Sequence, residues 1–123
     1  MSNILENIIQ DKKESLKLFK KNNSLDYLEK KIKTINTFFD FKDAIIKNKG
    51  VSLISEIKKA SPSAGILIKD FNHLNIAKMY VDSGATCLSV LTEEKHFLGK
   101  LDYIKDIKNK FRIPVLAKDF FID

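Results

Sequence analysis

The sequence has 123 residues, 44% of them hydrophobic and 31% charged. That suffices for one domain with a modest core and is too apolar for a disordered chain. The net charge of +6 rests on lysine, 21 Lys against the single Arg112, and is dispersed: residues 1–50 carry 11 basic and 7 acidic groups, residues 51–123 carry 11 and 9. Lysine in place of arginine argues against bidentate reading of nucleic acid, and the even spread describes a solvated surface.

The chain opens on "MSNILENIIQDKKE", which has acids early and no apolar core of a secretory signal. No apolar stretch approaches the roughly 18 residues that span a bilayer, so the expected protein has no membrane partner and a cytoplasmic location. Residues 3–20 predict a helix, with Ile4, Ile8, Leu16 and Phe19 near helical spacing and Ile9 widening the stripe. "KKNNS" interrupts it, and Ser24 is placed to cap a second helix through Lys33, lined by Leu25, Leu28 and Ile32. "DFKDAIIKNKG" predicts a third helix from Asp40, with Gly50 at the C′ position. The first fifty residues therefore read as a helical, amphipathic layer.

The pattern then changes. Residues 51–58 predict a strand. "NHLNIAKMYVDSG" predicts a helix with Asn72 as N-cap, His73 in the first turn, Leu74, Ala77, Met79 and Tyr80 among the buried positions, and Gly84 as terminator. "TCLSVLT", 86–92, is an uninterrupted apolar run suited to a parallel strand buried on both faces, where Cys87 is an inert buried thiol; as the sole cysteine it cannot form an internal disulfide. "KLDYIKDIKNKF" predicts a helix with Leu101, Ile104 and Ile107 on one face, and "IPVLAKDFFI", 113–122, a third strand opening on Pro114. Strand–helix–strand–helix–strand implies an α/β protein with a parallel sheet. A third strand with no helix after it leaves an edge open, so the architecture reads as incomplete.

Chemistry in such units gathers at the carboxyl ends of the strands. All three ends here are polar: Glu56 and Lys58, then Thr92, Glu93, Glu94 and Lys95, then Lys118 and Asp119. Strand side chains repeat every two residues, so Glu56 and Lys58 share a face, as do Leu116, Lys118 and Phe120, while Leu53, Ser55 and Ile57 pack under helices. If the polar face points into a barrel, Glu56, Lys58 and Lys118 converge. An internal ion pair is the alternative, but two lysines against one carboxylate leave a positive excess that suits an anionic ligand. "KASPSAGILIKDFNH" is long for a strand-to-helix connection and predicts a closing lid. His73 and His96 stand at unrelated spacing, so no metal site is expected. No glycine-rich phosphate cradle occurs.

Three segments, "LISEIKKASPSAG", "LSVLTEEKHFLG" and "IPVLAKDFFID", resemble successive signatures of the indole-3-glycerol-phosphate synthase family of tryptophan biosynthesis, in the right order and spacing. The resemblance runs from the N-terminal helices to the last residue. It implies a (β/α)8 TIM barrel preceded by a helical extension: residues 1–50 as the extension, residues 51–123 as the first three strands and two helices of the barrel. It also implies a lyase that closes a ring on 1-(2-carboxyphenylamino)-1-deoxyribulose 5-phosphate, with loss of carbon dioxide and water, using no cofactor and no metal.

By position, Lys118 resembles the family's general acid and Lys58 the lysine that holds the anionic substrate and assists later proton transfer. Glu56 resembles the carboxylate that orients both, Ser61 a loop group near the substrate carboxylate, and Phe97 and Phe120 the walls of the anthranilate ring. Ser55, Ala64 and Lys100 depart from the commoner family residues, away from this chemistry. The family's second catalytic carboxylate, its Asn and its phosphate-binding groups have no counterpart in these residues. The expectation is a truncated or split chain, inactive alone. The other reading is a non-catalytic half-barrel that binds a phosphorylated ligand, a complementing chain or another tryptophan-pathway domain. A phosphoribosylanthranilate isomerase is disfavoured by the E-I-K…S-P-S pair.

Overall fold

The structure is a computed structural model that describes residues 3–123. Its element order is α1 (Ile4–Asn22), α2 (Leu25–Lys33), α3 (Phe41–Lys47), β1 (Ile54–Ile57), β2 (Ala60–Ser61), β3 (Gly65–Ile66), α4 (His73–Asp82), β4 (Cys87–Leu91), α5 (Asp102–Lys110) and β5 (Val115–Lys118). Two compact units result. One contains the residues up to Phe38 together with Phe120–Asp123, the other contains Phe39–Asp119.

In the first unit, α1 starts on a capping box: the Asn3 side chain accepts backbone N–H groups and Glu6 reaches back to the Asn3 N–H. Lys20 and Lys21 close the helix where its dipole favours cations, and Lys20 pairs with Asp123. Of the expected apolar stripe only Ile8 is buried; Ile4 and Phe19 are exposed. Ser24 caps α2 by accepting from the Tyr27 N–H at 3.2 Å, as its position predicted, yet Leu25 and Ile32 face solvent.

In the second unit, the Asp40 carboxylate caps α3 by accepting from the Asp43 N–H at 2.8 Å. The helix ends at Lys47 with Asn48 as C-cap, so Gly50 (φ +117°), expected at the C′ position, stands one residue beyond it. Strands β1, β4 and β5 form a parallel sheet in that order. Register pairs Glu56 with Ser89 and Ile57 with Val90, then Ser89 with Leu116 and Leu91 with Lys118. One face therefore carries Ile57, Leu88 and Val90, which pack with Ile76 and Ala77 of α4 and Ile107 of α5 into the core. Each such aliphatic side chain contributes roughly 1.5–3 kcal/mol on full burial. The central strand β4 is buried at all five positions, as its unbroken apolar run requires.

Helix α4 ends in a Schellman motif. The Ala85 N–H donates to the Tyr80 carbonyl and the Gly84 N–H to the Val81 carbonyl, with Gly84 at φ +89°. The face of α4 differs from expectation at two positions: Ile76 is buried and Met79 is 59% exposed, because the side toward the sheet runs through Ile76, Ala77 and Tyr80. Leu101 is likewise exposed, since it is the residue before the first turn of α5.

Both outer strands are shorter than the sequence suggested. Ahead of Ile54 the Thr86 hydroxyl takes the Leu53 N–H at 3.0 Å in place of a ladder bond, leaving Leu53 and Val51 exposed. Beyond Lys118 the neighbouring strand has already turned into its loop. The segment expected to be a closing lid contains a small antiparallel hairpin that pairs Ala60 with Ile66 and Ser61 with Gly65, with Gly65 at φ +68°. The Leu67 N–H closes it onto the Lys59 carbonyl at 2.8 Å.

Candidate active site

The polar strand ends meet where period-two alternation put them. Glu56 is the third residue of β1, Lys58 follows the strand directly, and Lys118 is the last residue of β5. Glu56 Oε1 lies 3.2 Å from Lys58 Nζ and Oε2 lies 2.6 Å from Lys118 Nζ. One carboxylate thus holds two ammonium groups. On the same face Ser89 lies between the outer strands, small enough to leave room above it for the Glu56–Lys118 contact. The Tyr80 hydroxyl donates to the Glu56 backbone carbonyl at 3.0 Å, fixing β1 from the helix side.

Burial raises the proton affinity of the Glu56 carboxyl, but hydrogen bonds and charge from Lys118 and Lys58 outweigh it and hold the group below its ordinary value of 4.5. The cluster is open to solvent: the side chains of Glu56, Lys58 and Lys118 are 30%, 34% and 53% exposed. This differs from a sealed ion pair. An accessible site with one carboxylate and two cations has net positive charge to offer an incoming anion.

The end of β4 is built differently. Glu93 does not join the cluster. It is 3% exposed and turns back into its own loop, accepting backbone N–H bonds from Lys95 (3.2 Å), His96 (2.7 Å) and Phe97 (2.9 Å). Leu98 adopts φ +54°, and the Gly99 N–H returns to the Glu93 carbonyl at 2.8 Å. Thr92 is buried beneath this loop and donates its hydroxyl to Asp119 Oδ2 at 2.9 Å.

Of the remaining expected residues, Ser61 lies in the hairpin, where its hydroxyl accepts from the Ala64 N–H at 3.2 Å. Phe97 is half-buried on the loop after β4, with its N–H held by Glu93. Phe120 lies two residues past β5 and belongs to the other unit. Cys87 is fully buried and desolvation pushes its thiol up, in keeping with an inert core sulfur. His73 stacks on Tyr103 with ring centroids 4.3 Å apart and pairs with Asp106 at 2.8 Å, a tie between α4 and α5. Among the described residues no helix is long and apolar enough to cross a membrane, and no group of three His, Cys, Asp or Glu could hold a metal ion.

The family model of indole-3-glycerol phosphate synthase matches residues 5–123. The chain belongs to the indole-3-glycerol phosphate synthase family. It is 46% identical over 123 residues to an indole-3-glycerol phosphate synthase of Legionella pneumophila, covering all of this chain and 47% of the relative. It is 46% identical over 123 residues to that of Aliarcobacter butzleri, covering 98% of this chain and 47% of the relative. It is 43% identical over 120 residues to that of Desulforamulus reducens, covering 98% and 45%. The chain spans just under half the length of the curated relatives it matches.

Within this chain, four residues that organise the site escaped sequence reasoning in those roles: Tyr80, Thr92, Glu93 and Asp119. The "LTEEK" run showed that the end of β4 is polar, but nothing local separates a carboxylate that faces a ligand from one that caps its own loop. Tyr80 carried a weak signal, as a phenol at a buried helical position that needs an acceptor.

Proposed function

We propose that this chain supplies the first part of the active site of an indole-3-glycerol phosphate synthase, a decarboxylating lyase of tryptophan biosynthesis. The substrate in this reading is 1-(2-carboxyphenylamino)-1-deoxyribulose 5-phosphate. The supporting observation is the Glu56 carboxylate held between the Lys58 and Lys118 ammonium groups at the carboxyl ends of two parallel strands. In this reading residues 1–50 are the helical extension and residues 51–123 open a (β/α)8 barrel, in the cytoplasm.

Lys118 acts as general acid, delivering its proton to the substrate carbonyl oxygen as the ring carbon attacks. That oxygen later leaves as water, and the carboxyl group leaves as carbon dioxide. Lys58 attracts the anionic substrate and assists the later proton transfer. Glu56 keeps both ammonium groups directed into the site until substrate displaces one of them. Ser61 serves the substrate carboxylate, and Phe97 flanks the aromatic ring. A positioned general acid contributes typically about 10²–10⁴-fold to rate.

A second reading, in which the site face of the sheet receives a complementing chain, draws on Ile54 and Leu116, which lie on that face and are 46% and 47% exposed. One experiment serves both. Residues 1–123 are joined to the part of the Legionella pneumophila relative that the match leaves uncovered, and formation of indole-3-glycerol phosphate is measured. Turnover that depends on Lys118 supports the synthase reading; a folded chimera without turnover overturns it. Turnover on mixing the two parts as separate chains supports complementation.

A further inference from the structure

We propose that Thr92 is a positioning residue for Lys118: its backbone N–H and its side-chain hydroxyl together pin the exit of β5, and so set where the Lys118 ammonium meets Glu56. The catalytic meaning of that placement rests on the synthase reading above; the placement itself does not.

Among the described residues β5 has a single neighbour, β4, and their last register pair is Leu91 with Lys118. Any displacement of the strand end is passed along the four-carbon stem of a lysine. The Glu56–Lys118 contact tolerates little of this, because it reaches across β4 to close at 2.6 Å. Thr92 constrains this strand end twice. Its N–H donates to the Lys118 carbonyl at 3.0 Å, adding one bond beyond the ladder. Its Oγ1 lies 2.9 Å from Asp119 Oδ2 and 3.4 Å from the Lys118 carbonyl. A hydroxyl has one proton to give, and the shorter, charge-assisted contact takes it.

The hydroxyl has no alternative partner in water. Thr92 is 2% exposed beneath the 93–99 loop. That loop is held down by the three N–H bonds into Glu93, and by Gly99, where an added Cβ would come within 2.2 Å of the Leu91 carbonyl oxygen. Valine would suit a buried strand end in shape and propensity. What threonine adds is the hydrogen bond.

The test uses the 123-residue chain and reads the Glu56 side-chain carboxyl by carbon NMR across a pH titration. That carboxyl responds directly to how close Lys118 stands, so a purely structural role elsewhere leaves it unmoved. Lys118→Met sets the reference for a lost ammonium group. Thr92→Val, isosteric without the hydroxyl, is expected to move the Glu56 midpoint upward, part of the way to that reference. Thr92→Ser, which restores the hydroxyl, is expected to bring it back. A Thr92→Val titration that coincides with the unsubstituted chain overturns the proposal. So does an equal shift in both variants, since serine keeps the hydroxyl that valine lacks. If Thr92→Val does not fold, Thr92→Ala takes its place; loss of fold in both makes Thr92 a stability residue only and overturns the proposal. Because this readout needs no turnover, an inactive chimera would sink the synthase reading and leave this result standing.

Discussion

Lys118 Nζ stands 2.6 Å from Glu56 Oε2, although β5 and β1 never pair and β4 runs between them. The contact runs diagonally over the central strand, since Glu56 is level with Ser89 and Lys118 is level with Leu91. Three things make it possible: a small side chain at Ser89, strands that end together, and a second ammonium group, Lys58, on the other carboxylate oxygen.

Replacing Lys118 should remove the acid and leave the fold. In the chimera, Lys118→Ala is expected to lower kcat by about 10²–10⁴-fold. Lys118→Arg keeps the charge but not a transferable proton, so it should stay low as well. Steady-state kinetics decide the matter. A loss smaller than about tenfold for the alanine variant, or recovery with arginine, would reduce Lys118 to a charge.

Lys58 faces a different demand. It meets substrate charge in the ground state and in the transition state, so Lys58→Ala should raise KM and lower kcat together. An unchanged KM in the same assay would mean that Lys58 serves Glu56 alone.

The pH dependence has a fixed sign. Burial works to raise the Glu56 carboxyl, the two lysines overcome it, and the net displacement is downward from 4.5. A group lowered by folding stabilises the folded state fully above its unfolded value, and that contribution is lost as pH falls through the folded value. Urea unfolding of the chain and of Glu56→Gln, compared from neutral pH downward, should show a constant difference above about 4.5 that shrinks below it. A difference that grows on acidification would reverse the assignment of the lysines as the dominant influence.

How much of this was legible in the sequence follows from how local each feature is. Glu56, Lys58 and Lys118 were readable because strand alternation and the rule that sites form at strand carboxyl ends need only order and parity. The Asn72 and Ser24 caps were readable because a cap is a contact between near neighbours. The lengths of β1 and β5 were not, because a strand is as long as its neighbour allows, and β4 covers five residues. The hairpin at 60–66 was hidden by its two-residue strands, too short to show alternation. Glu93 was legible only as one of the polar residues at a strand end; its three N–H donors come from a loop shape that Leu98 and Gly99 impose together.

Gly99 gives the sharpest stability test. Its backbone does not adopt the left-handed conformation, so glycine is required there for space alone. A Cβ would sit 2.2 Å from the Leu91 carbonyl oxygen, 2.7 Å from its carbon and 3.0 Å from Thr92 Cα, all backbone atoms that cannot rotate away. Either the end of β4 moves or the loop lifts and gives up the Gly99 N–H bond to Glu93. Forced overpacking of this kind costs typically about 1–3 kcal/mol, against about 0.5 kcal/mol or less for an ordinary surface substitution. Gly99→Ala is therefore expected to lower the urea midpoint and to speed hydrogen exchange at His96, Phe97 and residue 99 together, since these N–H groups share Glu93 as acceptor. Gly65→Ala, at a turn glycine with φ +68° and open space around it, provides the contrast: a strain cost confined to the hairpin. A Gly99→Ala protein with an unchanged midpoint and unchanged exchange would show that the loop closes on β4 less tightly than the Leu91 contact requires.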